Sequence, residues 1–135
     1  IDYEALDRVL KKFQVGITVQ QVLDSLEGQV INGCLILKQE HYQARAFRKR
    51  KDFRTVLALK LRSVSEKMFE LSKNLRNVIM PEALGVLTGS FANSELQNCF
   101  FPKLVRIGTC AFQQCQIKEL NSDSFPSLEI VGHQG

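Results

Sequence analysis

Residues 96–115, LQNCFFPKLVRIGTCAFQQC, decide the reading of the whole chain, because their apolar positions recur at a near-constant interval. Leu75, Val78, Met80 and Phe91 stand one period before Leu96, Cys99, Phe101 and Phe112. A further period back come Phe53, Val56, Ala58 and Phe69, and one before those come Ile31, Cys34, Ile36 and Phe47, each of these two steps being a single position longer. Pro81 and Pro102 keep the interval. Ile117 and Leu120 continue it, until an insertion at residues 121–123 leaves Pro126 late in the register. The chain is a repeat array.

A period of this length, with one short apolar strand per unit, is the pattern of a leucine-rich-repeat solenoid. No unit can bury its apolar side alone, so neighbours must stack. The expected architecture is a parallel β-ribbon with short helical or irregular convex segments. Phe47, Phe69, Phe91 and Phe112 should form a buried aromatic stack beneath the ribbon. The residues Leu96, Cys99, Pro102, Ile107, Gly108, Ala111, Phe112 and Cys115 resemble the BspA-type leucine-rich repeat, L-x-x-I-x-L-P followed by I-G-x-x-A-F-x-x-C. Earlier units keep less of it, with Ser94 and Ser72 at the Cys place. The resemblance implies a bacterial or protist surface protein engaged in adhesion and host or matrix contact.

Residues 31–135 are assigned to leucine-rich repeats of about 21–22 residues, within the range of that class. Residues 1–30 are either a degenerate repeat or a helical N-terminal cap. Tyr3, Leu6, Val9, Leu10 and Phe13 fall at helical spacing, and Thr18 with Gln21 makes a capping box. Yet Leu10, Phe13, Val15 and Leu26 also lie one period before Ile31, Cys34, Ile36 and Phe47, and this shared interval favours the repeat. The absence of an initiator Met and the repeat begun at Leu128 suggest a fragment of a longer array.

The 135 residues suffice for one domain with a continuous core. The apolar runs are too short to span a membrane. Cys34 and Cys99 take an inward repeat position and Cys115 fills the repeat's own Cys slot, so reduced, buried thiols are expected, with a local Cys110–Cys115 bridge as the alternative. His41 and His133 stand several repeats apart, and no nucleotide-binding, zinc or nucleophile-elbow motif occurs. No cofactor or metal is implied, and an enzyme is not expected.

Strand alternation assigns an outward apolar stripe of Leu35, Leu57, Ile79 and Phe100 beside the polar Asn77 and Asn98. An exposed apolar patch of that length marks an interaction surface. The function read from it is a non-catalytic protein-interaction scaffold, in its finer form a cell-surface adhesion or ligand-binding domain. The competing explanation is that another part of the protein covers the stripe. The alternative function is polyanion or nucleic-acid binding through Arg45, Arg48, Lys49, Arg50, Lys51 and Arg54, a cluster carrying much of the net charge of +4. Charged turns are ordinary, and Phe47 and Phe53 sit in core positions where they cannot stack on bases, which disfavours nucleic acid. The family resemblance points to the cell surface, with the cytoplasm as alternative.

Overall fold

The computed structural model describes residues 2–117 and the strand Glu129–Ile130. The expected insertion at 121–123, the start of a repeat at Leu128 and His133 lie outside the described residues. The chain opens with helix α1 (Tyr3–Lys12), capped by Asp2, whose carboxylate accepts from the Glu4 and Ala5 amides. Such a side chain satisfies amide donors that have no partner within the helix. Leu6, Val9 and Leu10, spaced three and four apart, give α1 one buried face. Gln14, with φ 55°, takes the left-handed conformation and ends it. Helix α2 (Val19–Asp24) begins with the expected capping box: Thr18 Oγ1 accepts from Gln21 N at 3.1 Å, and Gln21 Oε1 accepts from Thr18 N at 2.9 Å.

Strand β1 (Val30–Ile31) turns back into β2 (Cys34–Leu37) through Asn32 and Gly33, at φ 50° and 75°. Two positive φ values in a two-residue loop match the twist of an antiparallel hairpin, and Asn-Gly is the pair that adopts them most readily. Val30 pairs with Leu35 and Ile31 with Cys34. From β2 onward the chain winds as a parallel solenoid. Strands β3 (Thr55–Ala58), β5 (Asn77–Ile79) and β7 (Asn98–Phe100) add to β2 in order, forming one sheet, β1-β2-β3-β5-β7. The return segments make a second parallel sheet from two-residue strands: β4 (Ser63–Val64), β6 (Gly85–Val86), β8 (Arg106–Ile107) and β9 (Glu129–Ile130). This is the expected leucine-rich-repeat solenoid, with a convex side more regular than anticipated.

Between the sheets lie Leu35, Val56, Val78 and Cys99 from the ribbon and Val64, Val86 and Ile107 from the return strands. The expected aromatic stack runs through the same core. Phe47–Phe69, Phe69–Phe91 and Phe91–Phe112 have ring centroids 5.4, 5.4 and 5.7 Å apart, with planes within 13° of parallel. The Cys slot stitches turns together. Cys115 Sγ donates to Phe91 O at 3.0 Å, and Ser72 Oγ to Phe47 O at 3.0 Å, each reaching a carbonyl of the preceding turn. Serine and cysteine exchange at this slot because both are small donors. Gly108 is held by contact: a Cβ there would meet Thr88 N at 2.8 Å and Leu87 C at 3.0 Å, both backbone atoms.

Two expectations are corrected. Of the two readings of residues 1–30, the favoured repeat gives way to the helical one: residues 2–29 contribute no turn of the solenoid but carry the two helices, and β1 runs antiparallel to the ribbon. The ribbon register also differs by one residue in its first strand. Cys34 pairs with Thr55, Leu35 with Val56 and Ile36 with Leu57, so the first interval is one position shorter than inferred. Leu35 therefore faces the solenoid core, while Cys34 and Ile36 face outward.

Candidate interaction surface

The outward face of the ribbon carries two columns set by strand pairing. One is Cys34, Thr55, Asn77 and Asn98; the other is Ile36, Leu57, Ile79 and Phe100. Helices α1 and α2 lie across this face. Leu6, Val9, Leu10 and Val22 pack with Cys34, Ile36, Leu57 and Ile79 in a second core, separate from the one inside the solenoid. Burying a Leu or Ile side chain contributes about 1.5–3 kcal/mol, so the cover is a substantial part of the fold.

The expected exposed stripe is thereby corrected. Leu35, Leu57 and Ile79 are each 0% exposed, Leu35 because it points into the solenoid and the other two because the helices sit on them. Phe100 is the exception. It lies on the last described strand of the ribbon, packs against the helical core and remains half-buried. Asn77 and Asn98 are also half-buried and form a ladder: Asn98 Nδ2 donates to Asn77 Oδ1 at 2.9 Å, and Asn77 Nδ2 to Thr55 Oγ1 at 3.1 Å. Cys34 ends the same column, paired with Thr55, and burial pushes its thiol up to about 12. Beside α2 the cover leaves a groove of about 380 Å³ with Leu23, Ile36 and Leu59 in its walls and Lys38 and Lys60 at its edge.

The basic cluster is divided. Arg48 Nε binds Glu70 Oε1 at 2.6 Å on the adjacent turn. Arg50 makes two hydrogen bonds to Asp52, at 2.9 and 2.5 Å, and its guanidinium lies 5.5 and 5.3 Å from the Phe47 and Phe53 ring centroids. The hydrogen bond from Arg50 holds the Asp52 carboxyl below the usual carboxylate range. These two arginines are structural. Arg45, Lys49, Lys51 and Arg54 are exposed. Stacking adds two cations that the sequence reading omitted, Lys73 and Arg76, which lie one period after Lys51 and Arg54. That interval, already visible in the Phe positions, was the signal that joins them.

Among the described residues no group of three His, Cys, Asp or Glu side chains is placed to hold a metal ion. No described helix is long and apolar enough to cross a membrane. A family model, that of the BspA type leucine rich repeat region, matches residues 40–132 in 6 copies. No curated protein and no solved structure matches the chain.

Proposed function

Since the chain belongs to the BspA-type leucine-rich-repeat family, we propose that it is a non-catalytic protein-interaction domain whose partner seats on the part of the ribbon that α1 and α2 leave open. The observation carrying this reading is the change along one column: Leu57 and Ile79 are fully covered, and Phe100 in the next turn is only partly buried beside Asn98. A partly exposed aromatic side chain with amide groups alongside can anchor and orient a partner. Leu35, Leu57 and Ile79 take no part in this contact.

A photo-crosslinking residue placed at Phe100, with a control at the exposed Gln113, tests the site in source-cell extract. A discrete adduct at position 100 and none at 113 is expected; equal labelling at both contradicts the proposal. Cell-surface adhesion is the finer form of the same reading, supported by family membership. It predicts that protease added to intact source cells cleaves this domain, and protection of the domain until the cells are lysed would oppose it.

A further inference from the structure

Solenoid stacking builds a row of cations along the edge where the chain enters the ribbon. Arg76 N and Asn77 N both donate to Arg54 O, at 2.7 and 3.1 Å, which seats Arg76 on Arg54 in the next turn. Asn74 Nδ2 donates to Lys51 O at 2.9 Å and brings Lys73 beside Lys51 in the same way. Adjacent strands lie about 4.8 Å apart, so like charges are held close on a rigid frame. All four side chains are exposed, and none forms an ion pair with a carboxylate among the described residues. Two nearby carboxylates are engaged elsewhere, Asp52 by Arg50 and Glu70 by Arg48, while Glu95, one period after Asn74, bounds the strip on the following turn. Lys51, Asp52, Arg54 and Asn74 line one open recess of about 320 Å³, with the Asp52 carboxylate held by Arg50 and the Arg54 guanidinium lying against Gly33.

We propose that Lys51, Arg54, Lys73 and Arg76 form a binding strip for a linear sulfated polysaccharide. Unpaired like charges in register repel one another, and a polymer carrying closely spaced anionic groups relieves that repulsion while releasing its own counterions. Lys and Arg supply the charge, and the recess sets a polar amide, Asn74, beside them for sulfate or hydroxyl oxygens. Single-stranded nucleic acid would need exposed rings on which to stack bases. Phe53 is 2% exposed and Phe47 lies under Arg50, so this edge offers none. Duplex DNA would need a helix or ribbon to enter its groove, and the edge is a row of turns.

The strip stands independently of the protein contact at Phe100 and is tested with heparin as the probe. Binding should weaken as salt rises, and Lys73→Gln with Arg76→Gln should lower affinity about tenfold and reduce the salt slope by about 2, two fewer contacts being made. The control pair Lys38→Gln with Lys60→Gln, at the opposite end of the strands, should retain wild-type affinity. Circular dichroism confirms that both variants fold, as surface substitutions should. Equal loss in the two pairs would mean attraction by net charge alone and would overturn the proposal. Tighter binding to DNA of matched charge than to heparin would replace the polysaccharide with nucleic acid.

Discussion

Leu57 pairs in register with Ile79 across adjacent ribbon strands, and neither side chain exposes any surface, although both point away from the solenoid core. A solenoid strand normally has one dry face and one wet face. Here β2 and β3 are buried at every position because α1 and α2 supply a second core. The N-terminal helices thus decide which part of the ribbon's outer face is covered.

Leu57→Ala should destabilise the chain by about 2–5 kcal/mol, the range for truncating a buried aliphatic side chain. Leu10→Ala on α1 should cost a similar amount, because both belong to the same core. Denaturant melts of the two variants check this. A loss well below that range for both would mean that the helices rest only loosely on the ribbon.

Gly108→Ala should cost roughly 1–3 kcal/mol, as overpacking does when neighbours cannot retreat. The new methyl would press on the backbone of Thr88 and Leu87, not on a flexible side chain. Gly16→Ala, where nothing lies within 4 Å of the added Cβ, is the matched control and should change stability little. Thermal melts distinguish the two.

The period, the ribbon and the aromatic stack were legible because apolar residues repeat where each turn must meet the next. The face of β2 was not. CLIL is apolar at four successive positions, so alternation has nothing to alternate with. The stretch from Leu35 to Phe47 is one position shorter than that from Val56 to Phe69, so alignment on the phenylalanines misplaced the strand by one. The helices presented the opposite difficulty, since Leu10 and Phe13 fit both a helical and a repeat spacing. Asn32-Gly33 is the local signal that distinguishes them, as it starts a hairpin and not a repeat. That α1 folds over Leu57 and Ile79 is a long-range packing fact with no sequence period to announce it.

The turns of the convex side recur with left-handed residues at fixed places, Lys49, Leu71, Asn93 and Gln114 among them, at φ between 59° and 66°. A side chain bearing a Cβ is disfavoured there by about 1–2 kcal/mol, partly offset in a glycine variant by the greater freedom of its unfolded chain. Lys49→Gly should therefore stabilise the chain by up to about 1 kcal/mol, read as a rise in denaturation midpoint. A fall would show that the Lys49 side chain makes a stabilising contact.

Burial raises the Cys34 thiol to about 12, whereas in the unfolded chain it ionises near its ordinary value of 9.0. The folded state therefore holds this proton more tightly. The associated stability is fully present below pH 9 and is lost as pH rises from there towards about 12. Cys34→Ala should flatten part of the alkaline fall in unfolding free energy, with Cys99, also raised by burial, accounting for a further share. An unchanged alkaline slope in the variant would contradict this assignment.

The N-terminal helices seal the outer face of the ribbon at Leu57 and Ile79 and leave Phe100 partly exposed. Hydroxyl-radical footprinting of the intact chain, read by mass spectrometry, measures this directly. Leu57 and Ile79 should be as protected as the buried Phe69, with Phe100 oxidised. Oxidation of Leu57 and Ile79 to the same extent as Phe100, after correction for intrinsic reactivity, would show that the face is open and the account wrong.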